Sequence, residues 1–271
     1  MTFTLLRSPD GAVEYHDGVG LDRILSPRPY LTATTPGGVP VTEAFPDDHR
    51  HHLGVSLALP DVDGTSFWGG TTYRHDQGSV MLDNHGTQQV QEREFAPGAV
   101  TERIGWFSRS GEPLLAETRV ITAGESAGTW QVHWTSELAA VRDEVTFGSP
   151  QTNGRGGAFY GGVFWRTPFR RAQVRTAGGD GTDTAHGSTA PWLQITGPEA
   201  SLVAATSTGL PWFVRADGYV GFLPAVAVAE RRVLARGETL RLDLAVAISG
   251  QPLDAPDDVA AHLIDGVRDA V

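Results

Sequence analysis

Cysteine and lysine are both missing from the 271 residues of this chain. Without a thiol there is no cysteine nucleophile, no Cys-ligated zinc site, no iron–sulfur cluster and no disulfide, so the fold must stand on its core alone. Without lysine, Schiff-base and lysine general-base mechanisms are excluded, and all 21 basic residues are arginine. The net charge is -11 and no basic run occurs. That balance argues against a nucleic-acid backbone or an anionic membrane as partner and favours a small neutral or cationic ligand. No apolar stretch approaches the roughly 18 residues of a membrane span, and the first residues lack a basic segment followed by an apolar one. A cytoplasmic, soluble protein is the expectation.

What is present is the patterning of a β-protein. The 33 glycines and 17 prolines are spread along the chain and separate short runs of period-2 alternation. Trp130, Val132 and Trp134 share one face of their run and Gln131 and His133 the other; 240–248 alternates more cleanly still. Further candidate strands are 100–108, 114–122, 141–147, 193–196 and 201–206. The count predicts an all-β domain of two large packed antiparallel sheets spanning 1–271. Helical spacing occurs only at the end, where Asp257 and Asp258 precede Val259, Leu263 and Val267, which predicts a short helix at about 256–270. The polar, glycine-rich stretch 177–187 reads as an exposed loop.

Chemistry is concentrated in one place. Three of the nine histidines, His49, His51 and His52, fall within four residues. Imidazole exchanges protons near neutral pH and binds metals through either nitrogen. If the run were extended, His49 and His51 would share one face and His52 the other. His85 follows Asp83 by two residues, an offset at which the acid could orient the imidazole, although an Asx turn accounts for it equally. His133, alternating with tryptophans, fits either a concave lining or a structural role. Glu144 is a candidate general base. The segment 148–157 after it lacks the strand-to-helix context and the lysine of a phosphate-binding loop, which excludes nucleotide binding there. Trp165-Arg166 and Trp212-Phe213 with Arg215 combine aromatic faces for sugar C–H groups with forked donors for hydroxyl or carboxylate oxygens; core packing is the competing explanation for each tryptophan.

Four segments together resemble the PmoA-like family of bacterial proteins: Arg28 to Leu31 with Val39 to Thr42; Asp48 to Gly54 leading into Asp61 to Gly69; Tyr160 to Arg166; and Pro211 to Arg215 with Gly221 to Leu223. The resemblance implies a galactose-mutarotase-like β-supersandwich and a setting in sugar catabolism, not the membrane methane monooxygenase that the name evokes. The family's Asp-His-Pro-His-His-Arg-Gly motif maps onto Asp48 to Gly54 with Arg50 for proline and Leu53 for arginine. Losing that arginine would remove a fixed cation from the presumed site.

The resulting expectation is a carbohydrate-active enzyme of epimerase, mutarotase or lyase type, moving protons on a sugar, keto-sugar or glycoside. His49 and His52 act as acid and base in either assignment, His85 orients, Glu144 is a further base, and Arg74, Trp165, Arg166, Trp212 and Arg215 bind substrate. A metal-assisted variant places a divalent ion on His49 and His51 with His85 or an acid. The alternative class is a non-catalytic sugar-binding or regulatory protein.

Overall fold

The alternation along Thr239–Ser249 builds the middle of the molecule. Leu240, Leu242, Leu244, Val246 and Ile248 point into the main core, while Ala245 and Ala247, on the opposite face, leave room for a helix. The computed structural model describes residues 1–126 and 128–269, with the side chains of 267–269 outside the described set.

Among the described residues, two large antiparallel sheets face each other. One has seven strands, in the order Thr2–Arg7, Ala12–His16, Tyr30–Ala33, Val55–Ala58, Gly162–Arg166, Tyr219–Pro224 and Trp212–Asp217. The other has nine, in the order Gly179–Asp180, Gln173–Thr176, Trp192–Thr196, Ser201–Ala205, Thr239–Ser249, Thr129–Ala140, Pro113–Ser126, Ala99–Phe107 and Thr87–Ala96. A three-stranded sheet and the hairpin Thr72–Arg74 with Gly78–Val80 are added outside them. The two packed antiparallel sheets expected from the patterning, and the supersandwich implied by the resemblance, are the observed architecture.

The core between the sheets contains Trp106, Trp134, Trp165 and Trp212, all fully buried. It also encloses charge. Arg119 forks onto Glu117, with Nε 2.8 Å from Oε1 and Nη2 2.9 Å from Oε2, and lies 3.6 Å from Glu102. Trp106 Nε1 and the Ser136 hydroxyl also donate to Glu117, and Tyr15 and Arg93 donate to Glu102. Such a network is tolerable in low dielectric because most of its donors and acceptors are matched.

The helix Pro256–Asp269 sets Ala260 and Leu263 against Trp192, Val203, Ala205, Ala245 and Ala247 on the outer face of the nine-stranded sheet. Trp192 Nε1 donates to Asp257 at 2.7 Å. Val267, the third residue of the expected stripe, has its side chain outside the described set. The stretch 177–187 departs from the open loop expected. It carries the strand Gly179–Asp180 and the short helix Thr182–Ala185, with Ala185 fully buried. Its end caps the edge strand Trp212–Asp217: Gly187 N–H donates to the Trp212 carbonyl and Val214 N–H to His186 Nδ1. A polar segment is thus held by satisfying an exposed strand edge, which composition does not reveal.

Candidate functional site

Period-2 alternation decides which residues of the seven-stranded sheet can serve a site. In Trp212–Asp217, Trp212, Val214 and Ala216 face the core, so Phe213, Arg215 and Asp217 face outward. In Gly162–Arg166, Val163 and Trp165 face the core and Phe164 joins Phe213, Trp68, Phe159 and Leu223 in a separate outer cluster. A pocket of about 540 Å³ opens on this outer face, lined by His49, His51, His52, Trp68, Tyr160, Phe213, Arg155, Arg215, Asp217 and Tyr219 with Thr71, Ser79 and Ala158. A larger cavity of about 1070 Å³ lies elsewhere, among Pro40, Pro168, Phe169, Pro198 and Pro252; its lining contains no histidine or tyrosine, and we place the candidate chemistry in the smaller pocket.

The histidine run is not extended. His49 N–H donates to the Pro46 carbonyl at 3.1 Å and His52 N–H to the His49 carbonyl at 2.8 Å, two turns in succession. Tight turns bring residues three apart to the same side, so His49 and His52 stack with centroids 4.7 Å apart and planes 16° apart. His51 stands edge-on to His52 at 4.8 Å. All three rings meet, where an extended run would have separated His52 from the others. The base of the loop is closed by Phe45 N–H to the His52 carbonyl and by Gly54, whose φ of +50° and approach to the Leu31 carbonyl leave no space for a Cβ.

Behind the loop, Arg28 is fully buried and has no carboxylate partner among the described residues; burial pushes its guanidinium down to about 9. It donates to the backbone carbonyls of Leu25, Ser26 and His51 at 2.8, 2.9 and 2.9 Å and to Ser56 Oγ. Beside it, His85 donates Nε2–H to the Gly70 carbonyl at 2.7 Å, and Gly70 lies against the His51 ring.

His49 Nδ1 is 3.0 Å from Asp48 Oδ2, and Arg166 Nη2 is 3.3 Å from Asp48 Oδ1 and 3.0 Å from Glu43. The Arg166 guanidinium covers the Tyr219 ring at 4.6 Å. Burial by itself would raise the Asp48 carboxyl, but the hydrogen bond to His49 and the Arg166 charge bring it below the usual carboxylate range. Burial, with the charges of Arg28 and the neighbouring histidines, pushes His51 down to about 3 and drives His52 well below the ordinary imidazole range. Burial pushes the Tyr160 phenol up to about 12 and raises Tyr219 as well. At neutral pH the pocket therefore presents neutral imidazoles at His51 and His52 and protonated phenols, beside the hydrogen-bonded Asp48–His49 pair.

Several expected site residues lie elsewhere. Trp165 and Trp212 are core residues, donating Nε1–H to the carbonyls of Val41 and Ala190. Glu144 is exposed at the start of Glu144–Gly148, away from the pocket. Arg74 is exposed on the outer hairpin and is not among the lining residues. His85 supports the Gly70 turn; Asp83, which was to orient it, pairs with Arg109 at 2.6 Å. Arg166 acts one layer back, through Asp48. His133 is half-buried under the C-terminal helix, its ring 2.7 Å from where a Cβ on Gly266 would stand. Neither departure from the seven-residue motif reaches the pocket: Arg50 is exposed and Leu53 fully buried. Among the described residues no group of three or more His, Asp or Glu is arranged to hold a metal ion.

Sequence reasoning did not single out Tyr160, Tyr219, Arg155 or Asp48 as site residues. Tyr219 follows a hairpin glycine and Arg155 sits in the glycine-rich segment rejected as a phosphate loop; neither carries a local signal, because their convergence is a product of topology.

The pattern of DUF6807, a family of unknown function, matches residues 7–263. The chain belongs to this family. No curated protein matches the DUF6807 chain. Among solved structures it is similar to a "Putative aldose 1-epimerase" from Escherichia coli K12, with 9% identity, a TM-score of 0.52 and coverage of 93% of this chain and 99% of that one. A galactose mutarotase-like protein from Lactobacillus casei ATCC 334 aligns at 10% identity with a TM-score of 0.45, covering 92% of this chain and 100% of that one. At such identities the likeness to the Escherichia coli protein concerns the fold. The PmoA-like label rests on the motif resemblance alone. No helix among the described residues is long and apolar enough to cross a membrane.

Proposed function

We propose that this DUF6807 protein is a carbohydrate-active enzyme that moves a proton on a sugar or keto-sugar, at the anomeric position or beside a carbonyl. The observation that carries the reading is the chain Arg166–Asp48–His49 ending at a pocket wall beside a histidine held neutral. His49 is the group that takes and returns the proton: Asp48 orients its ring through Nδ1 and stabilises the imidazolium, and Arg166 keeps Asp48 ionised. His52, buried and flanked by cationic neighbours, resists protonation and serves as a neutral hydrogen-bonding partner for the oxygen on which charge develops. Tyr160 and Tyr219 are protonated donors, and Trp68, Tyr160 and Phe213 offer apolar ring faces to sugar C–H groups. An epimer, an anomer and an eliminated glycoside are all products of such a transfer.

The test is solvent-deuterium incorporation, followed by NMR, into free sugars, glycosides and their 3-keto derivatives mixed with the purified protein. Enzyme-dependent exchange at one carbon, or accelerated anomer interconversion, that disappears with His49→Gln supports the reading. No exchange, interconversion or product across the panel defeats it and leaves a protein that binds without turnover.

A further inference from the structure

The net charge of -11 favours a neutral or cationic ligand, but the pocket has the opposite local balance. Arg155 and Arg215 both line it, both are exposed, and among the described residues neither forms an ion pair with a carboxylate. The one carboxylate in the lining, Asp217, is engaged by Arg171 outside the pocket at 2.8 Å. Asp48 is committed to His49 and Arg166, and His51 and His52 carry no charge at neutral pH. Two positive charges thus stand unneutralised around a small aromatic-walled space, in a chain where most other arginines have acidic or backbone partners.

The Arg215 guanidinium packs on an aromatic ring, and the backbone that carries Arg155 is held. Arg215 is on a paired strand, its Cζ 5.2 Å from the Phe213 ring centroid. Arg155 is carried by the glycine-rich segment that the phosphate-loop comparison rejected, and that segment is well tied: Arg155 N–H donates to the Pro150 carbonyl, Gln151 accepts from Gly157 N–H and donates to the Val228 carbonyl, all at 2.8 Å. The two charges act on the same two phenols, Tyr160 and Tyr219, from the loop side and the strand side.

We propose that Arg155 and Arg215 form an oxyanion clamp, so that the substrate of this site is an acidic sugar bearing a carboxylate or phosphate group. A planar fork with several N–H donors matches either group bidentately, and such charge-assisted bonds are among the strongest polar contacts in a partly desolvated site. The clamp would fix the anionic substituent within the same pocket whose wall carries the histidines. This inference rests on the functional reading above for the word substrate, but the clamp itself is independent of turnover.

Binding is measured calorimetrically for D-galacturonate against D-galactose and for D-glucose 6-phosphate against D-glucose, at low and raised salt, with the native chain and with Arg155→Gln, Arg215→Gln and the double variant. These side chains are exposed, and thermal unfolding checks that each variant folds. The expected result is at least about a tenfold preference for an acid over its neutral counterpart, shrinking with salt and collapsing towards unity in the double variant. A preference confined to the uronate identifies a carboxylate as the recognised group; one confined to the sugar phosphate identifies a phosphate. Equal or weaker binding of both acids overturns the proposal, and so does a preference that survives both substitutions. Deuterium exchange into a neutral sugar without acid preference would remove the clamp and leave the proton-transfer reading standing. Acid binding without exchange or interconversion would do the reverse.

Discussion

The imidazoles of His49 and His52 lie face to face at 4.7 Å. Two unit positive charges at that distance repel by about 3–4 kcal/mol at an effective dielectric near 20, which disfavours charge on both rings at once. Asp48 sits on His49 and not on His52, and His52 is the more deeply buried of the two. Two chemically identical side chains are thus set apart by one carboxylate and by burial.

Substituting His49 with Gln should lower the exchange or interconversion rate by about 10²–10⁴-fold, the usual contribution of a positioned acid–base group. Asp48→Asn, which keeps the ring oriented but withdraws the charge, should lower it less and chiefly in kcat. The double substitution should cost little more than His49→Gln alone, because Asp48 acts only through that ring. Multiplicative losses would show that Asp48 has another role.

The depressed imidazoles make stability depend on pH. In the unfolded chain His51 and His52 gain protons near pH 6.5, whereas folded His51 does so only near 3. Between those values the unfolded state binds more protons, so stability is full above about pH 6.5 and falls as pH drops towards 3. Asp61, held low against burial by hydrogen bonds from Arg231 and Asn153, adds a loss only below the ordinary carboxylate range. Urea titrations across pH 4–7 should show this slope, flattened by His51→Gln.

Gly70→Ala should disturb the pocket from behind. A Cβ there would stand 2.6 Å from His51 Nδ1, and the φ of +67° disfavours any side chain. We expect a stability loss of about 1–3 kcal/mol by thermal unfolding and a larger loss of turnover, since the ring must move.

Glu144→Gln and Arg119→Met separate the exposed from the enclosed. Glu144 is exposed and outside the pocket, so its substitution should leave turnover unchanged and stability within about 0.5 kcal/mol. Removing Arg119 leaves Glu117 in the core without its cationic partner and should cost about 3–5 kcal/mol in denaturant unfolding.

The sheets were legible because Trp130, Val132 and Trp134, or Leu240 to Ile248, repeat at the period that a half-buried strand imposes. The histidine cluster was legible as a location. Its shape was not, because the turns at Pro46 and His49 are backbone hydrogen bonds that no side-chain pattern announces. Trp165 and Trp212 misled for a reason already contained in their strands: if Arg166 and Phe213 face outward, their immediate neighbours cannot. Arg155 and Tyr219 come from segments more than sixty residues apart, and only the order of strands brings them together.

The strand Trp212–Asp217 writes two messages on alternate letters. Trp212, Val214 and Ala216 are committed to holding the sandwich together, while Phe213, Arg215 and Asp217 line the pocket. A substitution at an odd-numbered position of this strand therefore reaches the pocket wall without entering the sandwich core, and one at an even-numbered position does the reverse.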